Sequence, residues 1–257
     1  MQDLTTPLDP ETAAETATAT GPETGPDAAI PAKPGSGIIE GAELRIPKHP
    51  LITKGQRRVA LRTGAYELKE AEAVKRMVGP EDVVLELGGG IGYISTLLSK
   101  TCGARAVHSF EANPGLLDYM AEMHRVNGVT NVTVHHALLA PRKGKPRPFY
   151  VRQNFLASSM DETGGNVVDV VEVEVRGLNT TLREIRPTFL VCDIEGAEAA
   201  LLPAGDWSGL RGAVIELHPQ WIGSDGVAAV FDAMQRAGLT YFPRASNGKV
   251  VAFKRRF

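Results

Sequence analysis

The chain has 257 residues and a nearly balanced formal charge of −2, enough for one ordinary domain with appendages and too little positive charge for a dedicated nucleic-acid binder. No apolar run approaches membrane-spanning length, and residues 1–36 hold six acids and one lysine, leaving 27 basic and 24 acidic side chains in the rest. Cys102 and Cys192 lie far apart without CxxC spacing, which excludes a disulfide framework or cysteine zinc site and reads as two buried or half-buried thiols.

In chain order, residues 1–36 are rich in Thr, Ala, Pro and Glu and cannot offset the entropy of ordering, so they are expected to be disordered beside one domain over 37–257. They lack a basic segment followed by an apolar stretch, so no secretory signal is expected and the chain reads as cytoplasmic. Residues 37–63 read as an irregular lead-in. Helical spacing of apolar residues predicts a helix over 67–78, stopped by Gly79-Pro80. A strand over 83–87, a helix over 93–100, a strand over 105–110, a helix over 114–127 and a strand over 131–136 follow.

Next comes an irregular block with a basic run, Arg142, Lys143, Lys145, Arg147 and Arg152, which reads as a solvated hairpin face or as a site for an anionic acceptor. Within it, residues 167–175 alternate Val with Asp or Glu as a half-exposed edge strand would. A strand over 188–193, a helix over 197–202, a strand over 212–217 and a helix over 227–237 complete the alternation. Strands over 240–242 and 249–253 are expected to close as a hairpin through Asn247-Gly248. This order predicts an α/β fold with a doubly wound, mostly parallel sheet and an antiparallel end. Ligands of such sheets gather at the carboxyl ends of strands, where Gly88, Glu111, His136, Asp193 and His218 fall.

The densest motif is Glu86-Leu87-Gly88-Gly89-Gly90-Ile91-Gly92, a strand breaking into a glycine loop before a helix. Its spacing, Glu86-x-Gly88-x-Gly90-x-Gly92, differs from the G-x-G-x-x-G that seats a dinucleotide pyrophosphate. A carboxylate at Glu86 repels a diphosphate and suits the ammonium and sulfonium of S-adenosylmethionine (SAM). Glu111, ending the second strand, stands where an acid holds ribose hydroxyls. The plain alternative is a structural glycine turn with two surface acids.

A second motif, Asp193-Ile194-Glu195-Gly196-Ala197-Glu198, delivers two carboxylates at i and i+2, on one face if the strand continues that far. Glu195 or Glu198 alternatively favours the N-terminus of the next helix through its dipole. Together with Tyr66-Glu67, the glycine motif, Phe110-Glu111-Ala112-Asn113-Pro114 and Asn127, this segment resembles the FkbM-type SAM-dependent methyltransferases over roughly residues 64–220. The resemblance implies the seven-stranded, Rossmann-like class I methyltransferase fold and O-methylation of a sugar or a glycosylated or polyketide-type metabolite.

By the same resemblance Gly88, Gly90 and Gly92 cradle the methionine part of SAM, Glu111 with Ala112 and Asn113 holds the ribose, and His136-Ala137 flanks the adenine. Glu86 orients the loop or the ammonium. Tyr66-Glu67 forms a lid edge or a plain helix N-terminus, and Asn154, Ser158 and Ser159 line the acceptor pocket. Trp221 either walls that pocket or packs on a helix, as Trp207 is expected to do.

An aliphatic hydroxyl is a poor nucleophile at neutral pH, so a base or a metal is expected to assist it. Asp193, Glu195 and His218 are the candidates, and His218 reads equally as a surface or core histidine. A divalent ion on these three would need added waters, and none is expected. His135 should point away from its neighbour and pack. The expected partner is a hydroxylated small molecule, with no nucleic acid or membrane and with a homodimer left open. Two other readings compete: a catalytically silent SAM-binding scaffold, against which the intact acids argue, and an NAD-dependent nucleotide-sugar enzyme, disfavoured by the glycine spacing.

Overall fold

A computed structural model describes residues 37–152 and 166–256 of the chain; the tail over 1–36 and Asn154, Ser158 and Ser159 lie outside the described residues. The lead-in is more regular than its sequence suggests. Strands β1 (Ile38–Glu40) and β2 (Arg45–Pro47) form an antiparallel pair, and helix α1 (Gly55–Thr63) follows. Strands of three residues are too short to register an alternation, and α1 buries only Leu61, so neither element leaves a strong periodic signal.

Then come α2 (Leu68–Met77), β3 (Val83–Leu87), α3 (Tyr93–Lys100), β4 (Ala106–Glu111), α4 (Pro114–Val126) and β5 (Val132–His136). Each matches its expected element to within a residue or two. The irregular block holds β6 (Leu138–Ala140), β7 (Arg147–Arg152), β8 (Val167–Val173), β9 (Val175–Gly177) and α5 (Leu178–Ile185). The strand expected over 167–175 is thus two strands. β8 pairs antiparallel with β7 in a separate ribbon, whereas β9 pairs in parallel with β6. Arg142, Lys143, Lys145 and Arg147 are exposed as a solvated face would be, but Arg152 is buried. Leu178, Thr181, Leu182 and Ile185 mark the inner stripe of α5, a helical spacing carried by the sequence over only two turns.

The chain continues through β10 (Phe189–Cys192), the single-turn α6 (Glu198–Leu201), β11 (Gly212–Glu216), α7 (Pro219–Arg236), β12 (Thr240–Tyr241) and β13 (Val250–Lys254). Helix α7 starts eight residues before the expected 227, because Pro219 opens it directly after His218; Gly223 interrupts it with non-helical backbone. Asn247-Gly248 does make a tight turn, closed between Asn247 and Val250, but it sits at the entry to β13 and a longer connection leads back to β12.

The main sheet has seven strands in the order β12-β13-β11-β10-β3-β4-β5, with β13 antiparallel to both its neighbours and the rest parallel. Alternation along the strands splits the core. Val84, Val107, Val191 and Val214 face α2, α3 and α4, while Leu85, Leu190, Ala213 and Ile215 face α5, α6 and α7. The order reverses between β3 and β10, so the helices after these strands leave on opposite faces and a crevice opens at the strands' carboxyl ends. Among the described residues no helix is long and apolar enough to cross a membrane.

At the amino ends of the central strands, buried Asp82 accepts hydrogen bonds from Gly79 N (2.8 Å), Thr188 Oγ1 (2.8 Å) and Arg211 Nε (2.6 Å), tying α2 to β3, β10 and β11. Burial alone would raise its pKa, but Arg211, Gly79 and Thr188 outweigh that and hold it below the usual range. Arg211→Ala should therefore destabilise the fold by about 1–2 kcal/mol in urea near pH 7, since Asp82 loses its charged partner but keeps Gly79 and Thr188, and the half-exposed Arg211 side chain is partly screened by water. The folded pKa of Asp82 is depressed, so its contribution is present above about pH 4 and fades as pH falls through the folded value. The stability gap between wild type and variant should narrow in acid; a gap of equal size at low pH would remove Asp82 as its cause.

Candidate active site

The rim begins with the glycine loop. Gly88 and Gly89 both donate their N–H groups to the carbonyl of Phe110, each at 3.0 Å, which anchors the loop to β4. Gly88 has φ of 86°, and a Cβ there would lie 1.7 Å from the carbonyl oxygen of Asp193. Only glycine allows the two motifs to meet. Gly90 also has positive φ, but among the described residues no atom beyond its chain neighbours lies within 4 Å of its Cβ direction, so that side of the loop is open to them. The Gly90 N–H donates to Glu111 Oε2 (2.7 Å) and the Asn113 N–H to Glu111 Oε1 (2.6 Å), fixing the acid at the end of β4. Burial raises the Glu111 pKa to about 7 against these hydrogen bonds. Asn113 caps α4 through Gly115 N, and His136 Nε2 lies 3.1 Å from the Ala112 carbonyl, with buried Ala137 beside it. The residues expected to hold ribose and adenine are therefore neighbours. His135 stacks on Phe110 and pairs with His108, a packing role as expected.

Glu86 is 1% exposed, and neither of its oxygens has a hydrogen-bond partner of regular geometry. Burial pushes its pKa to about 8, with Ser109 and Ser95 close enough to offset part of the rise. It lines a narrow cavity together with Glu67, Glu70, Gly88, Asp193 and Glu216. Tyr66 and Glu67 do two things: Glu67 precedes α2 in a left-handed conformation, and its carboxyl lines this cavity with a pKa raised by burial and by the charge of Asp193. The Tyr66 ring packs edge-on against Tyr93 at 5.3 Å. Glu70 and Glu216, which the sequence reading did not single out, face each other across the cavity wall, and burial with this pairing raises Glu70 to about 8. Their only sequence signal is position: one turn beyond Glu67 and at the end of a strand.

Asp193 and Glu195 do come together, though by a different route from strand alternation. β10 ends at Cys192, Asp193 N still bonds to Leu87 O (2.9 Å), and the chain then turns through Glu195 with φ of 51°. The turn brings Glu195 Oε2 to 3.3 Å and Asp193 Oδ1 to 3.6 Å from Nε2 of His218. Glu198, entirely buried, accepts from His218 Nδ1 (2.9 Å) and Gly196 N (3.1 Å) through one oxygen. Burial would raise its pKa, but the His218 and Gly196 bonds hold it below the ordinary value. For His218 burial lowers the pKa, and the Glu198, Asp193 and Glu195 carboxylates more than reverse this. Burial and the neighbouring charges of Glu216 and Glu195 push Asp193 to about 7. Trp221 is 67% exposed and lies over Gly196, so it covers the outside of this turn, whereas Trp207 is buried with Nε1 bonded to Leu202 O.

The sheet order, the glycine loop and the acids on one rim define a class I methyltransferase fold. The Methyltransferase FkbM domain family matches residues 86–241, more than half of the chain, and the chain belongs to that family. It is also 27% identical over 105 residues to a protein-L-isoaspartate O-methyltransferase of Roseiflexus sp. (strain RS-1), across 37% of this chain and 47% of that protein. A namesake from Roseiflexus castenholzii is 29% identical over the same length and the same shares. The matched stretch thus spans about half the length of these curated relatives. Among solved structures, M. jannaschii TYW2 in complex with AdoMet aligns over 85% of this chain and 86% of its own at 14% identity and a TM-score of 0.47.

The two glycines of the loop should fail differently. Gly88→Ala drives a methyl into backbone and should cost about 3 kcal/mol or more of stability. Gly90→Ala meets no atom of the described residues and should cost only about 1 kcal/mol for its positive φ, while weakening the binding of whatever ligand the loop receives. Thermal unfolding paired with SAM titration of both variants checks this, and a Gly90→Ala protein as unstable as Gly88→Ala would contradict it.

Proposed function

We propose that the chain is a SAM-dependent O-methyltransferase acting on a hydroxyl of a small molecule, with a sugar or a glycosylated or polyketide-type metabolite as the acceptor class. The observation that carries this reading is the junction of the two motifs: the Gly88 backbone rests on Asp193, so the loop suited to the cofactor adjoins the acid–histidine cluster suited to a proton. Family membership and the names of the Roseiflexus relatives support the same class of chemistry.

The residues present fit SAM on two counts. Buried Glu86 has no regular hydrogen-bond partner and sits among other carboxyls, which favours a ligand bearing cationic groups, and the open side of Gly90 leaves room against the loop. When bound, SAM supplies a methyl group already activated by its sulfonium. The loop would hold the methionine part, Glu111 would accept from the ribose hydroxyls on lone pairs its backbone partners leave unused, and His136-Ala137 would border the adenine. Positioning and exclusion of water then dominate the rate, with the Asp193, Glu195 and His218 cluster receiving the proton of the acceptor hydroxyl.

Titration calorimetry with SAM and with S-adenosylhomocysteine should give micromolar binding, weakened at least tenfold by Glu111→Ala, which removes both the ribose contact and the anchor of the Gly90 N–H. Absence of binding to either ligand would sink the cofactor assignment. Asp193→Ala should lower turnover far more than SAM affinity once a panel of hydroxylated sugars yields an acceptor; unchanged turnover would remove Asp193 from the chemistry.

A further inference from the structure

We propose that Glu198 and His218 form a base dyad: the buried carboxylate is the positioning residue that fixes the imidazole, and Nε2 of His218 takes the proton of the acceptor. This rests on the methyl-transfer reading and goes beyond it by choosing one group in the cluster.

The hydrogen-bond chemistry fixes the tautomer. The Glu198 carboxylate can only accept, so the 2.9 Å bond requires the hydrogen of the neutral ring on Nδ1, which leaves the lone pair on Nε2. The orientation is held from several sides. Glu198 is 0% exposed and also bonded to Gly196 N, the His218 side chain is 5% exposed, and the His218 carbonyl accepts from Trp221 N (2.8 Å) and Ile222 N (3.0 Å) at the start of α7. Nε2 then faces Glu195 Oε2, Asp193 Oδ1 and, at 4.0 Å, Glu216 Oε1. Those three carboxylates stabilise the imidazolium that forms when the proton arrives.

In the step itself the acceptor O–H bond breaks and its proton moves to Nε2. The oxygen pair forms the new O–CH3 bond, and the methyl–sulfur electrons remain on sulfur, giving S-adenosylhomocysteine. The competing occupant is a divalent cation, since Asp193, Glu198 and His218 each offer a donor atom within 4.8 Å of the others. The Glu198–His218 bond engages Oε1 and Nδ1, so a cation would have to enter on the Nε2 side beside Asp193 and Glu195, where it would compete directly with the acceptor proton.

The test is nitrogen NMR of the full chain labelled with 15N-histidine and saturated with S-adenosylhomocysteine, with His218→Gln identifying the resonances. The ring should carry its hydrogen on Nδ1 and a bare Nε2 at high pH. Its protonation midpoint should lie above the ordinary value, because Asp193, Glu195, Glu198 and Glu216 all face it and Lys249 is the nearby opposing charge. Glu198→Gln should lower that midpoint by about one unit and mix the tautomers. A bare Nδ1 in the wild type, which needs no variant to observe, would overturn the proposal. So would a midpoint and tautomer untouched by Glu198→Gln, or coordination of Nε2 by added Mn2+ or Zn2+. Calorimetry on the same samples separates the two levels: bound S-adenosylhomocysteine with the wrong tautomer ends the dyad alone, whereas no binding ends the cofactor reading.

Discussion

The contact on which the rim depends is the one between the Gly88 backbone and the carbonyl of Asp193. It is too close for any side chain, and the Asp193 N–H continues the ladder by bonding to Leu87 O. Because β3 and β10 are adjacent in the sheet and their helices leave on opposite faces, the loops after them share one small space. Two motifs more than a hundred residues apart become one surface. The glycine loop takes its shape from Phe110 and Glu111 on one side and from Asp193 on the other, which leaves its Gly90 side for a ligand.

The second constraint is charge. Glu67, Glu70, Glu86, Asp193 and Glu216 border one cavity, and Glu195 and Glu198 stand next to it around His218. Burial and mutual repulsion raise the pKa of Glu67, Glu70, Glu86 and Asp193, and only Glu198, with its histidine and backbone partners, is held low. Such a cavity has a deficit of positive charge, which a sulfonium and an ammonium would meet. The same carboxylates make His218 the one side chain of the cluster with both a fixed tautomer and neighbours that favour its protonated form.

Much of this was legible in the order of residues. The central strands and their helices announce themselves by unbroken apolar runs and helical spacing, and the glycine and Asp-x-Glu-Gly-x-Glu motifs sit where strands end. Less was legible between 137 and 187, where four strands pair outside the main sheet, β6 and β9 with only three residues each, and the stripe of α5 spans only two turns. The early start of α7 was hidden by Gly223 and Gly226, which weaken the helical pattern although Pro219 suits a first turn.

The sequence by itself determined the alternation of strands and helices, the loop that must be glycine and the chemical character of the rim, since these depend on local spacing and side-chain type. Only the tertiary structure decided which acid serves which neighbour. Glu198 follows the strand in sequence as a helix-start acid would, yet chain folding buries it against a histidine from the next strand end, twenty residues away. Glu195 reaches the same histidine through a left-handed turn that strand alternation does not describe, and Glu70 meets Glu216 across separate elements. Partnerships of this kind depend on sheet order and on the approach of loops in space, which the spacing along the chain does not encode.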